Sequence, residues 1–257
     1  MARDFDGSAD KLDRTSAVIS GQPLTMACWF NSDTITVSQT LMGVSTAGTA
    51  NNRFTLQASG ATTGDPVRFI AKVTAGASRA ATSTGYSAGT WHHACGVAVS
   101  INDRRVFIDG GSKNTQTSTR DPSGMDRTSI GVGVHASDVN FMDGRIAEAA
   151  IWNIALSDAE VALLAQFVSP LLIRPDALVA YWPIIGRFAP EIDRWGGFDM
   201  TVTSAPPAAA HLRVFYPAGI SAMGVPVAAV VDSSADTVLF TFGQQQPRFD
   251  PPEVVGY

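Results

Sequence analysis

The sequence predicts an all-β protein: an antiparallel sandwich or barrel carrying one short helix. Three features lead there. Runs of β-branched and aromatic residues alternate with polar ones at period two, clusters of Gly, Ser, Thr, Asn and Asp separate the runs, and only one segment has helical periodicity. Residues 24–30 (Leu-Thr-Met-Ala-Cys-Trp-Phe), 53–57 and 67–73 show the alternation, and 91–99 reads as a further strand. Residues 105–109 form a strand that ends in Asp109-Gly110, where glycine's tolerance of positive φ makes a tight reversal cheap. Residues 129–134 read as one strand with close backbone approach at its glycines, and 144–152 as another.

The helix follows. Ser157-Asp158-Ala159-Glu160 is a capping box, in which the serine hydroxyl and the glutamate carboxylate satisfy each other's backbone amides. Val161, Leu164, Ala165 and Val168 share a stripe, and Pro170 ends the helix, which is expected to lie across one edge of the sandwich. Segments 178–183 and 198–202 close the sandwich. From 204 to 210 the chain is small and Pro-rich, as in a linker. The division expected is therefore a sandwich over 1–205 and, over 206–257, a Pro-rich linker and extended C-terminal arm. Within the arm, 225–231 and 237–242 are strand-like, and a Gln/Pro tail runs from Gln244 to Pro252. An arm of this composition has no core of its own, so it is expected to take its stability from a neighbouring subunit. Leu239, Phe240, Phe242 and Phe249 would be buried in that neighbour's groove or beside an added strand.

Composition excludes several classes. Charged residues are 16% of the chain against about 25% on average, while hydrophobic residues are 45%, which excludes a disordered chain and a coiled coil. Eighteen Lys and Arg against 23 Asp and Glu give a net charge of −5, with no basic run of the kind nucleic acid requires. No stretch approaches the ~18 apolar residues of a membrane span. The start, from Met1 to Gly7, lacks the apolar core of a secretory signal, so synthesis without a signal peptide is expected.

Few residues suggest chemistry. Cys28 and Cys95 sit inside apolar runs and read as buried thiols, with a cross-strand disulfide as the alternative. His92 and His93 are adjacent on a strand, so their rings face opposite sides and do not converge on a metal. Asp6, Asp10, Asp13, Asp33, Asp109, Asp138 and Asp143 are strand-end or loop carboxylates without the dense spacing of a calcium loop. No cofactor is expected; calcium stays open, with no assignable ligands. Four of the five tryptophans lie in strand patterns and read as core, whereas Trp195, between Arg194 and Gly196, is expected to be exposed. Trp195 and Arg194 are the candidate glycan contacts.

Several segments together resemble the laminin-G-like branch of the concanavalin A-like lectin/glucanase superfamily. They are Phe5-Asp6-Gly7, the Trp29 strand, Thr90-Trp91-His92-His93, Val106-Phe107-Ile108-Asp109-Gly110, Leu178-Val179-Ala180-Tyr181-Trp182, and above all Gly144-Arg145-Ile146-Ala147-Glu148 with its Ala155-Leu156-Ser157 helix entry. The resemblance covers residues 1–205. It implies two antiparallel sheets in a jelly-roll sandwich and roles in glycan or protein binding, sometimes with calcium. It also implies occurrence in bacteriophage virion proteins. Some glucanases on this fold use a Glu-x-Asp-x-x-Glu strand; here Glu191-Ile192-Asp193 is followed by Gly196, so the acid/base is missing, and the segment reads as a solvated loop rather than an enzyme centre. The expectation is a non-enzymatic structural or adhesion protein of a multi-subunit particle: a homo-oligomeric phage virion component on the particle surface, such as a head decoration, fibre or tail protein. It would contact other particle proteins through its arm and would bind neither nucleic acid nor membrane. The alternative is a carbohydrate-binding module for cell-surface glycan.

Overall fold

The computed structural model describes residues 2–74, 76–204 and 206–216. Leu239, Phe240, Phe242 and Phe249 lie outside the described residues. The chain divides into two units, Met1–Pro217 and Ala218–Tyr257.

In chain order the strands are β1 (Ala2–Asp6), β2 (Lys11–Arg14), β3 (Leu24–Ser32), β4 (Ser38–Ser45), β5 (Arg53–Ser59), β6 (Pro66–Val73) and β7 (Gly76–Gly85). They continue with β8 (Trp91–Ser100), β9 (Asp103–Ile108), β10 (Gly111–Gln116), β11 (Arg127–Ile130), β12 (Gly133–Val134), β13 (Asp138–Val139) and β14 (Asp143–Trp152). After helix α1 (Asp158–Ala165) come β15 (Leu178–Trp182), β16 (Thr201–Thr203) and β17 (Ala208–Ala209). Among the described residues the first sheet runs β10-β9-β8-β3-β14-β1-β17, with β15 also paired to β14. The second runs β16-β2-β11-β4-β5-β6-β7. Both are antiparallel; β8-β9-β10 and β4-β5-β6-β7 are consecutive hairpins, while β8-β3-β14-β1 and β16-β2-β11-β4 join strands distant in sequence, as in a jelly roll.

Period-two alternation builds the core. Met26, Cys28 and Phe30 of β3 face Phe54 and Leu56 of β5 and Phe69 of β6 across the sandwich, all fully buried. The first sheet is also covered on its outer face. Ala27, Cys95, Val97, Phe107, Ala150, Trp152 and Tyr181 point outward there and form a second apolar cluster with Val161 and Leu164 of α1. The helix therefore lies on that face instead of across an edge, because an apolar face of this extent cannot be left in water. Its capping box forms as expected, with the Ser157 amide donating to Glu160 Oε2 at 2.7 Å and the Ser157 hydroxyl accepting from the Glu160 amide.

Two local expectations change. Segment 129–134 is not one strand: the chain breaks at Gly131, φ +78, where a Cβ would meet the Phe5 ring at 2.5 Å. Residues 206–216 run along the sandwich: β17 pairs with β1, Phe215 bridges to Val168, and the compact unit extends past residue 205 to Pro217.

Gly96, in the middle of β8, marks how tightly the sheets meet. A Cβ there would stand 2.4 Å from Phe69 Cδ2. Gly96→Ala is expected to cost about 1–3 kcal/mol by overpacking, read as a lower urea midpoint with an unchanged slope.

Candidate functional site

The carboxylates singled out in the sequence are consumed by structure. Glu191 is not in a solvated loop: it is 1% exposed, accepts from Arg3 Nε at 2.7 Å, and takes the Ile185 amide at 3.0 Å on its other oxygen. Arg3 also donates to the carbonyls of Pro206 and Phe188, so the pair ties the first strand to the late loops. Asp193 is buried too. It accepts from the amides of Tyr181, Trp195, Gly196 and Phe198, and so shapes the loop that carries Trp195. The solvated reading fails because Pro190 and the Gly196-Gly197 pair suggest a free loop, while its partners lie over a hundred residues away or in backbone amides that sequence does not mark.

Trp195 is exposed, at 48%, as expected. Arg194 beside it is also exposed, and its guanidinium stands 5.8 Å from the Phe188 ring centroid. These three side chains give one rim an aromatic and cationic edge.

The paired histidines diverge as their alternation requires. His92 Nδ1 lies 2.8 Å from Asp109 Oδ2 at the hairpin, and Asp109 Oδ1 accepts the His93 amide. His93 is buried against Trp29, ring centroids 5.4 Å apart, with its Nδ1 lacking a partner among the described residues. Burial holds His93 down at about 4 from 6.5, a shift that Asp109 opposes. The two cysteines are free. Cys28 pairs with Ala94 and Ala27 with Cys95, so the thiols project to opposite faces of the sheet and cannot join. Burial pushes both thiols above their ordinary range, which makes them poor nucleophiles. Among the described residues no group of three or more His, Cys, Asp or Glu is placed to hold a metal.

Glu148 was not singled out for chemistry in the sequence. It sits at a bulge in β14 with φ +54 and is buried. Its carboxylate accepts from the hydroxyls of Tyr181 at 2.5 Å and Tyr216 at 2.6 Å, and His211 Nε2 lies 3.1 Å away. This knot fastens residues 211–216 over the first sheet, and Val214 joins Trp29, His93 and Leu164 around a space of negligible volume. That face is closed.

The outer face of the second sheet differs. The Gly133–Val139 hairpin folds over its β11–β4 end, where Ser129 Oγ donates to the Val132 carbonyl at 2.8 Å. Over β5–β7 the outward positions are polar. Register places Arg53 opposite Lys72, Thr55 opposite Ile70 and Gln57 opposite Arg68; Arg79 in turn lies opposite Ile70 from the other side. Ile70 is thus ringed by Thr55, Arg68, Lys72 and Arg79 on three neighbouring strands. Burial, and then the Arg79 charge, lower the affinity of Arg53 and Arg68 for their protons. Lys72 is lowered by burial, Arg53 and Arg79. His135 is held at about 4 by burial and then by the charges of Arg53 and Lys72. The alternation in 53–57 and 67–73 is a signal that could have found this face; the pairing that assembles it is not visible in the chain.

Residues 6–162, more than half of the chain, match the model of the Laminin_G_3 family. The chain belongs to the concanavalin A-like lectin/glucanases superfamily. As a member of it, the chain shares its lectin-like sandwich with proteins that are similar in fold. A SAP-like pentraxin from Limulus polyphemus aligns over 66% of this chain and 83% of its own at 14% identity, TM-score 0.53. The CBM40 of a Ruminococcus gnavus IT-sialidase, solved bound to α2,3-sialyllactose, aligns over 64% and 98% at 14% identity, TM-score 0.52. The enzymatically active domain of bacteriophage CBA120 tailspike protein 2 aligns over 69% of this chain and 29% of its own at 12% identity, TM-score 0.51. At these identities the likeness is one of fold. No curated protein matches the sequence.

Two stability effects follow from buried ionisable groups. Arg3→Met leaves Glu191 without its counter-ion and is expected to cost about 3–5 kcal/mol, measured by urea unfolding. His93 takes up its proton only on unfolding until pH falls to its folded value. Its share of stability is therefore complete above 6.5 and lost as pH falls to about 4, a drop of roughly 3 kcal/mol. In His93→Phe the unfolding free energy should fall less across that window.

Proposed function

We propose that this superfamily member is a non-catalytic glycan-binding module. The observation that carries the reading is the contrast between outer faces: the first sheet's is closed by α1 and residues 206–216, while the second sheet's β5–β7 end presents polar and cationic side chains. Guanidinium and ammonium donors standing together on a sheet face suit the hydroxyl-rich edges of sugars. Absence of catalysis is supported by Glu191, occupied by Arg3, and by Gly196 where a second carboxylate would be required. The CBM40 likeness is in keeping with binding, without assigning its ligand to this chain.

A second contact is favoured by Trp195, whose exposed indole beside Arg194 offers a stacking edge. The wider role we propose is adhesion or structural service in a multi-subunit particle, such as a phage virion. The sandwich would be displayed at the surface, and residues 218–257 would contribute Leu239, Phe240, Phe242 and Phe249 to another subunit, of the same or a different kind. The composition of that segment supports this, and so does the occurrence of the fold in a phage tailspike.

A glycan array probed with and without chelator tests the module. Binding is expected to persist in chelator, and an array silent under both conditions overturns it. Trp195→Ala separates the two contacts: a loss of about tenfold or more, ~1.4 kcal/mol, places the ligand at the rim, and unchanged affinity leaves it on the second sheet. Truncation after Pro217 is expected to leave a folded monomer that no longer assembles; normal assembly of the truncated chain refutes the particle role.

A further inference from the structure

We propose that the β5–β7 face binds acidic glycan, a sugar chain bearing carboxylate, sulfate or phosphate groups, held by Arg53, Arg68, Lys72 and Arg79. This rests on the glycan-binding reading above and names the class of ligand for the same face.

The argument starts from charge placement. The chain has 23 acidic residues against 18 basic, so carboxylates are not scarce. Arg14, Arg104, Arg120, Arg187, Arg194 and Arg213 form no ion pair among the described residues, whereas Arg3, Lys11, Arg105, Lys113, Arg127, Arg145 and Arg174 each stand in one. Among the described residues, none of Arg53, Arg68, Lys72 and Arg79 does. Arg53 and Lys72 lie directly opposite each other, an arrangement of like charges that weakens a sheet. Arg79, opposite Ile70, is diagonal to both Arg68 and Lys72. Among the described residues Arg68 Nε, like Arg104 Nε and Arg127 Nε elsewhere, is buried with no partner, a donor taken from water and given nothing in return. His135 adds no charge at neutral pH, and Asp138 near it is already paired with Lys11 at 2.7 Å.

Four unpaired cations on three adjacent strands cost stability in the free protein, and a bound anion removes that cost. Planar guanidinium forks match carboxylate, sulfate and phosphate in a bidentate manner, and Lys72 supplies a point charge among them. Thr55, Gln57 and Ile70 between them are buried, so the ligand would meet the ends of the four long cationic side chains. A patch three strands wide is small for a nucleic-acid duplex, and the rest of this acidic protein would repel one.

The test uses the full chain in surface-plasmon binding to polygalacturonate, dextran sulfate, neutral dextran and duplex DNA, beside a glycan array. Polygalacturonate or dextran sulfate is expected to bind and neutral dextran not to, with affinity falling as salt rises. Which of the two polyanions binds tells carboxylate from sulfate recognition. Lys72→Gln/Arg79→Gln is expected to weaken binding about tenfold or more, while Arg187→Gln/Arg213→Gln, removing two cations elsewhere, leaves it within about twofold. The first double variant should melt no lower than the parent, since it relieves like-charge repulsion; a markedly lower melting temperature would make these cations structural and overturn the proposal. It is also overturned if the acidic polymers bind the first variant unchanged or if DNA binds as tightly as they do. Array binding confined to neutral glycans would overturn the acidic class and leave the module intact. Binding to none of the polymers or array glycans would overturn both.

Discussion

The first sheet is apolar on both faces, and most of the structure follows from hiding the second one. A sandwich needs only its inner faces buried. Here Cys95, Val97, Phe107, Trp152 and Tyr181 also project outward, so the chain must lay further material over them. Helix α1 supplies Val161 and Leu164, and the turn beyond it brings the Ile173 carbonyl to the Trp152 indole NH at 2.7 Å. Residues 206–216 cover the rest, with Leu212 against Trp29 and Trp91. A buried indole or phenol must also find a polar partner; the Trp152 indole finds the Ile173 carbonyl and the Tyr181 hydroxyl finds Glu148.

Glu148 is where that layer is fastened. β14 pairs with β1 along its first half and with β15 along its second, and the bulge at Glu148 lies at the change of partner. The positive φ turns its carboxylate outward, beneath Tyr216 and His211 and beside Tyr181. Burial, and then this carboxylate, push both phenols far above their usual range, so they remain donors at any ordinary pH. Such a cluster looks catalytic in isolation. Its carboxylate is taken up by Tyr181, Tyr216 and His211, and the last two belong to the segment laid over the sheet, so the cluster is a clasp.

With one outer face occupied by α1 and residues 206–216, the other is the face left to the proposed ligand. The second sheet's outward positions over β5–β7 carry long polar side chains around a buried Ile70, and no apolar layer like that of the first sheet lies over them among the described residues. Charge separation between the two faces matters in a protein with net charge −5. An anion approaching it is repelled on average, and the four cations gathered on adjacent strands of β5–β7 offset that repulsion locally.

The sequence by itself determined the class of fold, the strand alternation that fills the core, the capping box, the exposure of Trp195 and the family likeness. Each rests on contacts between residues close in the chain or on a motif read in a single line. It did not mark β4, β7 or β10, whose Ser, Thr, Ala and Gly content resembles loop; they are strands because neighbours complete their ladders. It put Glu191 and Asp193 in water because Arg3 is 188 residues from Glu191 and the amides around Asp193 carry no signature. The cationic face was half legible: alternation sets Arg53, Thr55 and Gln57 on one side and Arg68, Ile70 and Lys72 on one side. Only the register of β5, β6 and β7 makes those sides the same and brings Arg79 to Ile70. Pairing between strands is fixed by the packing of both faces at once, and that is a property of the folded sheet rather than of any stretch of its sequence.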